Sequence, residues 1–308
     1  MLRIVAWVVL IQLVLMNLSA ALYAYRFTHF YDGTEKAVAS QNFFSKTWRL
    51  FSGPKFYKAS AEPEPPFPFE TVLLKTPGGL NIHSWYSSVD SAKGSVILLH
   101  GISANKTYLF NEADAFRRMG WNILLLDFRG HGLSQGNTTT FGIDETEETA
   151  AAFSFLANKG EKKIILYGTS LGAAVAMRAV AENKVQPSAI IAEMPFASLQ
   201  NHLESRARIV GFPSQPFAFL VTLWMGIERG YNGFSHKPAN YALDVKCPVL
   251  LQWGEKDEYV TRQETEAIFT HLPASKKLAI YPAGHESFLN RNGVQWMQEV
   301  GSFLQALP

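Results

Sequence analysis

Three residue types spread along this chain can together cleave an acyl bond: the serine at 170, the aspartate at 257 and the histidine at 285. A serine hydroxyl is a weak nucleophile at neutral pH. It needs a base within hydrogen-bond reach and an acid that orients the base. Ser170 is the centre of Gly168-Thr169-Ser170-Leu171-Gly172. That pattern alone is cheap: with Gly and Ser each near 7% of residues, roughly 0.1 matches arise by chance in a chain of this length. Its surroundings carry the weight. The β-forming run "KIILY" precedes it, and "LGAAVAMRAVAEN", rich in strong helix formers, follows. A sharp strand-to-helix turn lifts the hydroxyl off the edge of a sheet. Gly168 and Gly172 let strand and helix approach where a Cβ would collide, and Ala173, Ala174 and Ala176 keep the adjoining surface small. An ordinary loop serine fits this setting poorly.

The order serine, acid, histidine is the one such an architecture requires. "LLQWGEKDEYV" puts Asp257 in the loop after a strand-like run. Glu255 and Glu258 compete for the acid's role, and the position four residues past the strand end favours Asp257. "LAIYPAGHESF" puts His285 after the last strand-like run and before a helix expected to start near Gly293. The developing oxyanion needs two N–H donors. One is expected from Leu171, directly after the nucleophile, and the other from Ile102 in "LLHGISANKT", after an earlier strand. His100 reads as a residue that shapes that loop rather than as a base.

The elements that must position these side chains alternate strand and helix. "ETVLLKT" and "LNIHSWY", joined by Pro77-Gly78-Gly79, predict an opening hairpin. "SVILLH", "WNILLLD", "KIILY", "AIIA" and "PVLLQW" are continuous apolar runs, as expected of strands buried on both faces. "DETEETAAAFSFLANKG" between them is helical, with an acidic first turn that suits the positive end of the helix and Gly160 as its stop. The expected fold class is α/β: a mostly parallel central sheet with helices on both faces.

With 47% hydrophobic and 18% charged residues among 308, the chain is globular with ample core. A net charge of +2 and the lack of a Lys/Arg stripe argue against a nucleic-acid partner. Cys247 is the only cysteine, so no intrachain disulfide forms. No metal-ligand spacing, phosphate loop or dinucleotide fingerprint occurs, so no cofactor is implied. Three glycosylation-type sequons (Asn17, Asn105, Asn137) fall at chance frequency.

The N-terminus reads differently. Ile4 to Leu22 is 19 residues without a charge, flanked by Arg3 and Arg26. That is long enough to cross a hydrocarbon core and too long for the usual signal-peptide core. The expectation is an uncleaved single-pass anchor over 1–24, with a cleaved signal and a secreted or periplasmic protein as the competing reading. Residues 25–66 form a membrane-proximal piece. Phe44, Trp48 and Phe51 share a helical face among Lys46, Arg49, Lys55 and Lys58. Such a face suits an anionic membrane surface, or else the aromatics pack on the main domain. The Pro-rich run Glu62 to Pro68 is an extended linker, and the main domain covers 67–308. Within it, 196–243 is expected to form a lid of two or three short helices with Phe212, Phe217, Phe219, Leu223, Trp224 and Met225. These side chains either hold the lid to the body or face a lipophilic substrate.

Taken in order, "HGISANK", "DFRGHGLSQG", "GTSLGA", "AEMPFASL", "WGEKDEYV" and "AGHESF" resemble the α/β-hydrolase superfamily, in particular its serine aminopeptidase-like or monoacylglycerol-lipase-like branch and membrane-anchored relatives. The resemblance covers about Phe67 to Leu307. It implies Ser170, Asp257 and His285 as nucleophile, acid and base, and Ile102 and Leu171 as oxyanion donors. In "DFRGHGLS" it implies a structural loop, shaped by Asp127 and Arg129 and permitted by Gly130 and Gly132, with no chemistry for His131. The expected activity is hydrolysis of a carboxylic ester or thioester of a small-molecule or lipid acyl substrate. The alternatives are a peptidase, for which the lid offers only Glu204 and Glu228 to hold a free amine, and a non-catalytic binding protein on the same fold.

Overall fold

The computed structural model describes residues 1–33, 42–58, 63–211, 213–273 and 275–307; of the positions singled out above, Phe212 and Glu62 lie outside them. In chain order the regular elements begin with α1 (Leu2–Thr28), β1 (Phe30–Tyr31), α2 (Phe43–Ser52), β2 (Phe56–Tyr57), β3 (Glu70–Lys75), β4 (Asn81–Ser87) and β5 (Ser95–Leu99). Then come α3 (Phe110–Arg118), β6 (Asn122–Leu126), α4 (Thr146–Asn158), β7 (Ile164–Thr169), α5 (Leu171–Ala181) and β8 (Ala189–Glu193). The chain ends with α6 (Leu199–Ile209), α7 (Phe217–Arg229), α8 (Pro238–Tyr241), β9 (Val249–Gly254), α9 (Arg262–His271), β10 (Lys276–Tyr281) and α10 (Phe288–Gln305).

Eight strands form one sheet in the order β10-β9-β8-β7-β5-β6-β4-β3. From β6 to β10 every pairing is parallel; the opening hairpin adds β4 and β3 antiparallel at one edge. The continuous apolar runs are explained by burial on both faces. Within β5, Ile97 and Leu99 enter one core with Ala152, Val175 and Ile268, while Val96 and Leu98 enter the other with Phe116, Trp296 and Val300. Helices α4, α5 and α9 therefore cover one face, and α3 and α10 the other. The chain leaves β5 toward β6 on one side and returns to β7 on the other. Such a reversal opens a crevice at the C-terminal ends of the strands, where ligands bind in open α/β sheets.

The last helix departs from the expected start near Gly293. It begins at Phe288, because the Ser287 hydroxyl caps it by accepting from the Asn290 N–H at 3.2 Å, and its backbone breaks at Asn292.

Before the sheet, α1 runs for 27 residues, and its final third packs against the body. Ala20 and Ala24 are fully buried and small enough for close approach. Tyr23 meets the Phe217 ring edge-on at 5.0 Å, and Trp224 Nε1 donates to Asn17 Oδ1 at 2.8 Å, so α7 is the partner. Tyr23 also donates through its hydroxyl to the Leu50 carbonyl at 2.7 Å, which ties α2 to α1. Phe44 and Trp48, by contrast, are exposed on α2, as are Phe43 and Leu50. Of the three aromatics on the expected helical face, Phe44 and Trp48 thus do not pack on the main domain, and the half-buried Phe51 lies against Trp48. In the lid, Phe217 is engaged by α1 and Met225 is buried, whereas Phe219 and Leu223 lie at the surface.

Candidate active site

Ser170 sits at the junction of β7 and α5 with φ 50° and ψ −108°, a conformation that a side chain with a Cβ rarely adopts. Two contacts impose it. The Ser170 N–H donates to the Glu193 carbonyl on β8 at 2.8 Å, and the glycines on either side allow α5 to press onto the sheet. A Cβ on Gly172 would stand 2.1 Å from the Leu99 carbonyl oxygen, and one on Gly168 would stand 2.4 Å from the Gly172 carbonyl carbon. The turn therefore exists because these two positions carry no side chain.

Three loops at the same sheet edge converge on this hydroxyl. Ser170 Oγ donates to His285 Nε2 at 3.0 Å, and His285 Nδ1 donates to Asp257 Oδ2 at 2.7 Å. The second carboxylate oxygen of Asp257 accepts from the N–H groups of Tyr259 at 2.8 Å and Val260 at 2.9 Å. The Asp257 side chain is fully buried and the His285 ring is 19% exposed, so the acid is shielded from solvent while the imidazole reaches the cavity. A carboxylate fixed in this way holds the imidazole in one tautomer. Glu255 and Glu258, the competing acids, are exposed on the same loop and have no contact with the imidazole.

Ile102 lines the cavity that Ser170 opens into, and Gly101 lies against the serine. Among the described residues, nothing accepts a hydrogen bond from the N–H of Ile102 or of Leu171. His100 is fully buried: its Nδ1 donates to the Gly101 carbonyl at 2.7 Å and its Nε2 accepts from the Phe128 N–H at 3.1 Å. Burial lowers its pKa to about 4, so it stays neutral and serves the loop.

"DFRGHGLS" braces that loop from below. Asp127 accepts from the Lys106 N–H at 2.8 Å and the Leu133 N–H at 2.9 Å, and pairs with the Lys106 ammonium at 2.5 Å, both side chains being buried. The ammonium also lies 4.1 Å above the Trp85 ring. Arg129 reaches Glu148 at 2.6 Å and Glu147 at 2.8 Å on α4. Gly130, at φ +72°, has the Thr138 backbone 2.9 Å from where a Cβ would stand. His131 faces His100 and Phe30 rather than the serine, and burial and His100 push its pKa down to about 3.

The cavity at this sheet edge has a volume of about 330 Å³ and is lined by Ser170, His285, Ile102, Met194, His202, Arg206 and Tyr259 among others. Arg206 belongs to no motif legible in the sequence, and Tyr259, although it lies within "WGEKDEYV", has no role assigned from it. Arg206 reaches the cavity from the lid helix α6, where its Nε donates to His202 Nε2 at 2.8 Å; the Tyr259 ring lies 5.1 Å from the His285 ring, tilted against it by 52°. The sole hint was their place: one in the lid insertion, the other two residues after Asp257.

Residues 90–226 match the model of the family described as "Serine aminopeptidase, S33". The chain is 27% identical over 231 residues to YqkD of Bacillus subtilis, covering 73% of this chain and 76% of that protein. It is 25% identical over 223 residues to the lysophosphatidylserine lipase ABHD12 of Xenopus tropicalis, covering 68% of this chain and 55% of that one. Among solved structures, the Pyrococcus furiosus esterase Pf2001 superposes with a TM-score of 0.70 at 24% identity, over 81% of this chain and 96% of its own. Sheet order, the strained turn at its switch point and these likenesses agree: the chain has the α/β-hydrolase fold.

Proposed function

We propose that this chain is a serine hydrolase that cleaves a carboxylic ester or thioester through an acyl-enzyme. The hydrogen-bonded relay from Ser170 through His285 to Asp257 carries the reading. In the first half-reaction His285 takes the hydroxyl proton as Ser170 Oγ bonds to the substrate carbonyl carbon. The N–H groups of Ile102 and Leu171 stabilise the oxyanion. The bond to the alcohol or thiol then breaks, and that group leaves with the proton held by His285. In the second, His285 deprotonates a water that attacks the acyl carbon. The carboxylic acid departs and Ser170 recovers its proton. Asp257 holds the tautomer and steadies the imidazolium.

Esters are favoured over peptides because relatives in sequence and structure bear the names lipase and esterase, and because the amine-binding acids a peptidase needs are missing from the lid. Glu204 is engaged by Gln200 and Gln215, and Glu228 does not line the cavity. The name of the matching family model supports the peptidase as the second reading. A fluorophosphonate probe should label the wild type and leave Ser170→Ala unlabelled with an unchanged thermal melt. Labelling of that variant overturns the assignment. Faster turnover of aminoacyl anilides than of p-nitrophenyl esters would favour the peptidase.

The N-terminal helix supports a single-pass membrane anchor. Leu2 to Leu18 is almost entirely exposed apolar surface; those 17 residues rise about 26 Å at ~1.5 Å each, close to a hydrocarbon core of ~30 Å. The body then starts where the span ends, and the exposed Phe43, Phe44 and Trp48 of α2 lie at the level of the headgroups.

A further inference from the structure

A second cavity adjoins the catalytic one. It has a volume of about 390 Å³ and a mostly apolar wall that includes Tyr23 and Phe27 of α1, Leu50 of α2, Leu203 of α6, and Phe217 and Val221 of α7. Its size is that of ligand pockets. Among the described residues no Asp or Glu lines it, and the charged lining residues are Lys46, Arg49 and Arg206. Two of its wall residues, Arg206 and Tyr259, also line the cavity that holds Ser170 and His285.

Arg206 and Tyr259 make up that shared wall. The Arg206 guanidinium lies between the Phe27 ring at 5.9 Å and the Tyr259 ring at 5.7 Å, and Tyr259 in turn faces His285. The stack is weakly fastened. Beyond its bond to His202, the guanidinium has no carboxylate or carbonyl partner among the described residues, and the Tyr259 hydroxyl has no hydrogen-bond partner among them. Since these two side chains line both cavities, a rotamer change at either one would open the wall between them.

We propose that the second cavity receives the long aliphatic chain of the acyl substrate, and that the N-terminal helix is a wall of the substrate site as well as a tether. This rests on the ester-hydrolase reading above. The occupant follows from three observations: a wall shared with the catalytic cavity, an apolar lining, and a boundary formed by the helix that reads as the membrane anchor. A chain that reaches this cavity leaves its ester at Ser170. The cavity stands beside the point where α1 leaves the bilayer, so a chain drawn from the membrane passes directly into it.

The test uses the full-length protein in detergent micelles with p-nitrophenyl butyrate and p-nitrophenyl laurate. Val221→Trp fills the cavity and should lower the laurate-to-butyrate ratio of kcat/KM at least tenfold. Phe217→Ala enlarges it and should raise the ratio at least threefold. Fluorophosphonate labelling of both variants reports that the serine site is intact, and if Val221→Trp does not label, Phe217→Ala carries the test. Turnover by the wild type with a ratio unchanged in the labelled variants overturns the chain site and leaves the hydrolase standing. A wild type inert toward every ester overturns both.

Discussion

His285 Nε2 lies 3.0 Å from Ser170 Oγ although 115 residues separate them in the chain. The contact is made by two strand ends three places apart in the sheet order, β7 and β10, and by the loop after β9 that carries Asp257 between them. Parallel strands put all their C-terminal loops on one edge, so three residues remote in sequence meet there without any local interaction among them.

Asp257→Asn tests the orienting role with little change in shape. The amide oxygen can still accept from the N–H groups of Tyr259 and Val260, but its NH₂ then faces His285 Nδ1 and forces the wrong tautomer. The expected fall in kcat is about 10⁴-fold with KM little changed, measured on p-nitrophenyl acetate. Glu258→Gln, on the same loop but outside the relay, should keep kcat within about twofold. A kcat for Asp257→Asn within tenfold of the wild type would falsify the role.

Gly172→Ala should be among the most damaging conservative changes in the chain. Its Cβ would lie 2.1 Å from a backbone oxygen of β5, so α5 must move off the sheet rather than a side chain yield. Overpacking of this kind costs about 1–3 kcal/mol or more, and the nucleophile turn would shift with it. The expected result is a melting point at least 5 °C lower together with loss of probe labelling. Gly301→Ala is the counterpart. It lies inside α10 with nothing near the new methyl, and should stabilise by up to about 1 kcal/mol through helix propensity. Equal melts for the two variants would contradict the packing account.

The turn, the relay and the alternation of the sheet were legible in the sequence because each follows from short-range chemistry: a glycine pair around a serine, loops after apolar runs, an ordered trio of functional groups. Arg206, Tyr259 and the junction of α1 with α7 were not. They depend on how the lid insertion folds back over the body, and no periodicity records that. The lid's apolar residues invited a substrate or a packing role. In the structure Phe217 meets Tyr23 of α1, a partner almost two hundred residues away that no local pattern announces. The start of α10 was misplaced because a cap at Ser287 outweighs the stop-like Asn292-Gly293, which only bends the helix.

If α2 lies on the membrane, its exposed aromatic side should enter the headgroup region. A fluorophore on Phe44→Cys, read in protein reconstituted into vesicles with anionic lipid, should shift to the blue and be quenched by brominated chains. Raising the salt should weaken the effect, since Lys46 and Arg49 supply part of the attraction. A label at Arg262, on the exposed side of α9, should report water throughout. An aqueous spectrum at position 44 would place α2 clear of the bilayer.

Beneath the nucleophile turn, Glu193 gives the fold a pH dependence of definite sign. It is fully buried, it accepts from Trp296 Nε1 at 2.6 Å, and burial raises its pKa from 4.5 to about 8, with Glu112 and Tyr167 among its neighbours. A carboxyl whose pKa is higher in the folded state than in the unfolded chain binds its proton more tightly when folded. Its contribution to stability is therefore complete below about pH 4.5 and is lost as the pH rises through about 8. Glu145 shifts in the opposite direction, because hydrogen bonds from Thr139 and Thr140 and the charge of Arg129 outweigh its burial. Its contribution is lost only in acid and stays constant from pH 6 to 9. Between those values the wild type should lose stability relative to a variant that cannot ionise at this position, as Glu193 is driven to ionise in the core. Glu193→Gln keeps an acceptor for Trp296 and carries no charge, so its melting point should fall less and should exceed that of the wild type by several degrees at pH 9, given about 2–4 °C per kcal/mol for a domain of this size. Parallel melting curves for the two proteins across that range would show that the carboxyl is not protonated in the folded state at pH 6.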